Sequence, residues 1–289
     1  MEVKKICSLG AGAMGNQIAQ LAAMNGYEVS MLDIEDRFVQ GGLNAIKKNL
    51  QKFFVEKEKM TQEQADGVMG KIKGTTDLKE AVKDVQVVIE SIPEDLELKQ
   101  RTFKELDEFC PPETILASNT STFRITQIGS LVKRQDKVIG MHFFNPVARM
   151  RLLEIVRTAK TSDETFETIK DLGVKLGREP IELKDSPAFI ANRIFHIIHC
   201  EAAQMLEEGV ASAEDIDKAC TMGLGHALGP FATVDFTNAM GIAVHLGDYL
   251  AADLKDERYR ARPVTKRKFE AGEVGMATGK GYYEYPPQQ

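Results

Sequence analysis

Between an apolar run at Lys4–Leu9 and a helical pattern at Asn16–Asn25 stands Gly10-Ala11-Gly12-Ala13-Met14-Gly15. Few short features constrain a fold as tightly as a strand that turns at once into a helix through glycines. Gly10 permits the tight turn, Gly12 leaves the backbone bare enough for a pyrophosphate to approach, and Gly15 lets the helix pack closely on the strand. The unpaired N–H groups of the helix start are then available to phosphate oxygens. The next strand-like run, Glu28–Asp33, closes on Asp33. A carboxylate there can accept hydrogen bonds from both hydroxyls of an adenine ribose, and it repels a 2′-phosphate. The chain is therefore expected to bind NAD rather than NADP on a βαβ unit, with FAD as the weaker fit.

The rest of the first half continues that alternation. Val85–Glu90, Ile115–Ser118 and Val138–His142 are candidate strands, and longer helical patterns separate them, as in a parallel sheet covered on both faces. An unusually long helical stretch runs from about Asp36 to Ile72, with Leu43, Ile46, Leu50, Phe53 and Phe54 at helical spacing, and is expected to form an inserted helical pair. Leu152–Val156 and Pro180–Leu183 extend the same sheet, and Ser162 opens a helix between them. Composition changes at Lys184-Asp185-Ser186-Pro187, where Ser186 as N-cap and Pro187 at the first helical position are expected to begin a long helix. The domain boundary is placed there, giving 1–185 and 186–289. The second part is helical almost throughout, with Ala213–Met222 capped by Ser212 and a further helix at Ala239–Leu250. The fold class is thus α/β: a Rossmann-type, mostly parallel sheet with a helical insertion, then an all-helical domain.

A net charge of −6 over 289 residues argues against a nucleic-acid surface, which needs an excess of Lys and Arg toward the phosphates. No apolar run is long enough for a membrane span, and the strand begins too early to leave room for a signal peptide, so a cytoplasmic protein is expected. Cys7, Cys110, Cys200 and Cys220 are widely spaced and form no CxxC pair, as for buried free thiols in a reducing compartment.

Chemistry-bearing residues gather between 118 and 193. His142 ends a strand expected to run parallel to the first, at the sheet edge where ligands bind, and an imidazole there can take a proton from an alcohol near neutral pH. Glu154 is a lone carboxylate inside Leu152-Leu153-Glu154-Ile155-Val156, a costly place unless it is paired. The imidazole is the obvious partner, although a satisfied core histidine and an edge-strand glutamate would fit these two residues equally well. His196 and His199 share a helix face; with no third ligand they make a poor metal site, and no metal is expected.

The strings GAGAMG, SNTST at Ser118–Thr122, HFFNP at His142–Pro146 with Glu154 twelve positions after the histidine, and DSPAFIANRI from Asp185 resemble those of 3-hydroxyacyl-CoA dehydrogenases. Gly279-Lys280-Gly281-Tyr282-Tyr283 resembles the family's terminal motif, so the similarity spans nearly the whole chain. The resemblance implies that His142 is the catalytic base and Glu154 its orienting partner, with Ser121 and Asn192 bonding the substrate oxygen on C3. For NAD it implies Gly10, Gly12, Gly15, Asp33, Glu94, Lys99 and Asn145, with Ser121 shared. It implies an acyl-CoA substrate of (S) configuration, short chain, and a homodimer through the helical domain. Without the resemblance, Glu94 and Lys99 would pass for a solvated helix start and Asn192 for an ordinary helical residue.

Several positions depart from the family pattern. Ala277 stands where a basic residue contacts the cofactor, and Gly229-Pro230-Phe231-Ala232-Thr233 lacks the family's glutamate while Asp235 remains. Arg149 and Arg151 lie between His142 and Glu154, where two guanidinium groups suit a substrate with a distal carboxylate or the phosphates of CoA, or are merely solvated. Lys47, Lys48, Lys52, Lys57 and Lys59 fit either CoA phosphates or a solvated helix face. Two other functions stay open: a dehydrogenase of a free hydroxy acid or carnitine-like alcohol, and a crystallin-like protein that binds dinucleotide without turnover. The intact Ser121, His142, Glu154 and Asn192 set argues against the latter.

Overall fold

The computed structural model describes residues 1–286, which divide into two compact units, the first Met1–Ser186 and the second beginning at Pro187. The first unit runs β1 (Lys5–Leu9), α1 (Gly15–Met24), β2 (Glu28–Leu32), α2 (Asp36–Leu50), α3 (Gln62–Gly70), β3 (Ile72–Thr75), α4 (Leu78–Val82), β4 (Val87–Glu90), α5 (Leu96–Phe109), β5 (Ile115–Ser118), α6 (Ile125–Ile128), β6 (Val138–Phe143), β7 (Leu152–Arg157), α7 (Asp163–Lys175) and β8 (Glu179–Lys184). The eight strands form one sheet in the order β3-β2-β1-β4-β5-β6-β7-β8. Neighbours are parallel except β6 and β7, which run antiparallel. The 144–151 connection is too short for a crossover helix, so the chain can only return antiparallel.

The central strands β4, β5 and β6 are buried at every residue, because helices cover both faces. Ile6, Val29, Met31, Val87, Ile89, Ile115, Ile139, Met141 and Ile155 pack with Ile18, Ala19 and Ala22 of α1 and Ile46 and Leu50 of α2 in one core. The helical insertion is α2 and α3, with a π-helical turn at Gln51–Val55 between them. Ser162 caps α7 as expected, its side chain accepting from the Thr165 N–H at 3.1 Å.

Two local expectations fail. The insertion ends in a strand, β3, because Ile72 pairs with Val29 at the sheet edge. Gly74 disguises it: glycine weakens a strand pattern, yet here a Cβ would run into Val39 and meet Leu43 at 3.2 Å on α2. Nor does a helix begin at Pro187. Ala188 and Phe189 are buried with φ of +55° each, and α8 starts only at Ala191. The left-handed backbone costs about 1–2 kcal/mol per residue, which burial of both side chains offsets.

The second unit comprises α8 (Ala191–Glu207), α9 (Ala213–Leu224), α10 (Pro230–Phe236), α11 (Met240–Leu254) and α12 (Pro263–Glu270). Two buried aspartates organise it. Asp217 accepts from the N–H groups of Phe231 and Ala232 at 2.9 and 2.8 Å, capping α10, and from the Tyr283 hydroxyl at 2.7 Å. Asp235 accepts from the Tyr283 N–H at 2.9 Å and the Tyr285 hydroxyl at 3.1 Å. The terminal Gly-Lys-Gly-Tyr-Tyr segment is thus bolted to the helices, and Gly281 is required because a Cβ would collide with Asp235.

Candidate active site

The functional side chains of the first unit collect at one edge of the sheet. Gly10 follows β1, Asp33 follows β2, Glu94 lies in the segment between β4 and α5, Ser121 follows β5, and His142 is near the end of β6. Because β7 is antiparallel, Glu154 comes near its start and so reaches the same edge. In such sheets this is where ligands bind.

The glycine turn has the shape its sequence demands. Gly10 has φ of +101°, and a Cβ on it would lie 2.6 Å from the Ser91 carbonyl oxygen. A Cβ on Gly15 would run into the Gly10 carbonyl, whereas one on Gly12 would meet nothing within 4 Å. The open flank is therefore at Gly12, beside the N-terminus of α1, as a pyrophosphate requires. One oxygen of Asp33 accepts from the Ala11 N–H at 2.7 Å and the other from the Ile34 N–H at 2.7 Å. These bonds fix the carboxylate at the turn, where it retains lone pairs for ribose hydroxyls. The residues fit a dinucleotide.

His142 and Glu154 face one another directly across β6 and β7, which is why twelve positions separate them. His142 Nδ1 and Glu154 Oε2 are 2.7 Å apart, and both side chains are buried. The Phe144 ring packs against the imidazole at 4.4 Å between centroids.

A buried ion chain supports the loop after β5. Lys99 Nζ reaches Glu90 at 2.7 Å and Glu94 at 3.2 Å, with Lys99 1% and Glu90 0% exposed. The Ser118 hydroxyl donates to the other Glu90 oxygen at 2.6 Å. Glu94 Oε1 accepts from the Thr120 hydroxyl at 2.6 Å and from the N–H groups of Ser121 and Thr122 at 3.0 and 2.9 Å. Burial opposes its charge, but the Lys99 ammonium and these donors hold its carboxyl below the usual range. Lys99, expected in polar contact with the cofactor, is enclosed by Glu90, Glu94 and the Ile92 carbonyl. Glu94 and Ser121 are brought together, as is Asn119, whose Oδ1 accepts from the Phe143 N–H at 2.8 Å and ties this loop to β6.

Asn145 is exposed just beyond β6 and bonded to Gln17 of α1 at 3.0 Å. Asn192 belongs to the second unit, in the first turn of α8. His196 and His199 are buried packing residues. Sequence reasoning missed Glu90 and Gln17. Glu90 carried a signal like that of Glu154, a carboxylate in an apolar run, although it closes its run where Glu154 lies inside one; Gln17 carried none. Of the basic residues singled out, Arg151 is exposed and paired with Glu179 at 3.0 Å, and Arg149 is exposed. Ala277, at the place of the family's basic residue, donates its N–H to Asn238 at 2.7 Å.

The family model described as 3-hydroxyacyl-CoA dehydrogenase, NAD binding domain, matches residues 5–186, and that of the C-terminal domain matches residues 189–285. The chain belongs to the 3-hydroxyacyl-CoA dehydrogenase family. Among relatives of this dehydrogenase, a probable 3-hydroxybutyryl-CoA dehydrogenase of Bacillus subtilis (strain 168) is 39% identical over 285 residues, 99% of this chain and 98% of that one. The mitochondrial hydroxyacyl-coenzyme A dehydrogenase of Homo sapiens is 35% identical, covering 98% of this chain and 91% of its own. The crystal structure of (S)-3-hydroxybutyryl-CoA dehydrogenase from Ralstonia eutropha superposes with a TM-score of 0.94 at 36% identity, over 99% of this chain and all of the other. The dehydrogenase thus takes NAD as its cofactor, and its substrates are 3-hydroxyacyl and 3-oxoacyl thioesters of CoA.

Proposed function

We propose that this enzyme interconverts (S)-3-hydroxybutyryl-CoA and acetoacetyl-CoA, with His142 as base. The observation that carries the mechanism is the 2.7 Å contact between His142 Nδ1 and Glu154. With Nδ1–H donated to the carboxylate, the tautomer is fixed and the proton of the C3 hydroxyl goes to Nε2. Glu154 then faces an imidazolium, whose charge it balances in a buried site where an unpaired charge would be costly. NAD, when bound, accepts the hydride that leaves C3. Ser121 and Asn192 hold the C3 oxygen toward His142, and positioning of this kind lowers the barrier by removing the search for a reactive geometry. In the reverse direction His142 returns the proton to the oxygen as C3 is reduced.

Gly10, Gly12, Gly15, Asp33, Glu94 and Asn145 are assigned to the cofactor, with Ser121 shared and Lys99 acting beneath Glu94. Relatives named for the four-carbon substrate support the short chain. Exposed Met222, Leu224, Phe236 and Ile242 on the helical unit support a homodimer formed there. The unbridged cysteines favour a reducing compartment, the cytoplasm. Among the described residues no helix is long and apolar enough to cross a membrane.

The test is NADH oxidation with acetoacetyl-CoA beside free acetoacetate. Rapid turnover of the thioester alone is expected. Equal turnover of the free acid would overturn the CoA requirement, and faster turnover of a long-chain 3-oxoacyl-CoA would overturn the chain length.

A further inference from the structure

Gln17 lies half-buried on the first turn of α1, and its two backbone partners settle which way round its amide lies. Its Oε1 accepts from the Val147 N–H at 2.9 Å, and its Nε2 donates to the Ala13 carbonyl at 2.7 Å. A backbone N–H can only donate and a carbonyl can only accept, so Gln17 has a single orientation. Its second Nε2 hydrogen then goes to Asn145, whose Oδ1 accepts at 3.0 Å. That fixes Asn145 in turn. Its carbonyl is committed to Gln17, and its Nδ2 is the group left to meet a ligand.

We propose that Gln17 is a positioning residue that sets the polarity of Asn145, so that an amide donor faces the nicotinamide half of the cofactor. The inference rests on the assignment of Asn145 to the cofactor made above. Asn145 lies three residues after His142, and hydride transfer requires the ring to sit against the C3 that His142 serves. A donor at that place suits the carbonyl oxygen of the ring carboxamide, which ADP-ribose lacks. Gln17 also joins the helix whose N-terminus receives the phosphates to the 144–151 connection between the strands of His142 and Glu154. Arg178 holds the same connection from another side, donating to the carbonyls of Val147 and Met150 at 2.7 and 2.8 Å.

The variant that discriminates is Gln17→Glu. A glutamate still accepts from the Val147 N–H, but it can no longer donate to Asn145, so Asn145 turns over and presents its carbonyl to the ligand. The added charge near the phosphates weakens any pyrophosphate ligand, so binding of NADH is compared with binding of ADP-ribose, which lacks the nicotinamide. Dissociation constants for both are measured calorimetrically in the wild type, Gln17→Ala, Gln17→Glu and Asn145→Ala, alongside thermal melting.

The expected result for Asn145→Ala is a loss of about tenfold in NADH affinity with ADP-ribose little changed, the size of one hydrogen bond to a ligand. Gln17→Ala, which leaves Asn145 able to rotate, should lose about threefold. Gln17→Glu should lose about tenfold more for NADH than for ADP-ribose, with no matching fall in melting temperature. If Asn145→Ala leaves NADH binding unchanged, the contact itself fails and the proposal with it. If Asn145→Ala weakens NADH but Gln17→Glu weakens both ligands equally, the contact stands and the role of Gln17 is overturned.

Discussion

At the scale of single residues, the pairing of His142 with Glu154 makes separable predictions. His142→Gln removes the proton acceptor and should lower kcat by about 10²- to 10⁴-fold while the dissociation constant for NADH stays unchanged. A variant with near-normal kcat would refute the assigned base. Glu154→Gln keeps the shape of the side chain but not its charge, and should slow turnover by about 10²-fold through a loosened and less stabilised imidazole. The ion chain behind Glu94 predicts an effect on stability. Lys99→Met leaves Glu90, at 0% exposure, without its counter-charge, and should cost about 3–5 kcal/mol in urea unfolding. Adding Glu90→Gln should recover a large part of that loss; additive costs in the double variant would show that the pair is not coupled. Glu154 could be picked out in the sequence because a carboxylate inside Leu-Leu-Glu-Ile-Val must be paired. Glu90 obeyed the same rule unnoticed, and the burial of Lys99 was not legible because Glu-Asp-Leu-Glu-Leu-Lys has the composition of a solvated helix start although its lysine points into the core.

At the scale of elements, the contrast between Gly12 and Gly15 separates a ligand's demand from the fold's. Gly12 faces open space, so Gly12→Ala should melt like the wild type and lose NADH binding, because its methyl group occupies the approach to the pyrophosphate. Gly15→Ala forces a methyl group into the Gly10 carbonyl and should also cost about 1–3 kcal/mol of stability. Melting curves and NADH titrations on the two variants check this; a Gly12→Ala protein with normal NADH affinity would mean that the pyrophosphate does not pass there. Most strands were legible because strands buried on both faces appear as short apolar runs punctuated by turns. The elements that were not legible share a cause. β3 exists through pairing with β2 and close approach to α2, and the late start of α8 exists through burial of Ala188 and Phe189. Tertiary contacts decided both, and local sequence preference pointed the other way.

At the scale of the whole molecule, the fold class was legible because periodicity changes from alternating strand and helix to helix alone at the Asp185-Ser186-Pro187 stretch. What the sequence could not show is how the helical unit closes on its own terminus, and that closure places a pH-sensitive group in its interior. His199 bonds the Tyr282 hydroxyl at 3.0 Å, which in turn bonds Thr265 at 2.7 Å, and the imidazole is packed edge-on against Phe231. Burial, and then the nearby His196, lower its pKa from the ordinary 6.5 to about 3. The folded chain therefore keeps this imidazole neutral where the unfolded chain protonates it. Stability is intact above the unfolded value and is lost as pH falls from 6.5 toward the folded value. His196 is lowered by burial as well and adds to the same window. Glu94 and Asp107, whose carboxyls lie below their ordinary range, contribute only in more acid solution. From pH about 7.5 to about 5.5, His199 alone should account for about 1.4 kcal/mol of lost stability. Urea unfolding at a series of pH values should show that slope in the wild type and a shallower one in His199→Met. Identical slopes would place the acid sensitivity elsewhere in the chain, and a wild-type stability that rises on acidification would mean that the histidine carries its proton in the folded protein.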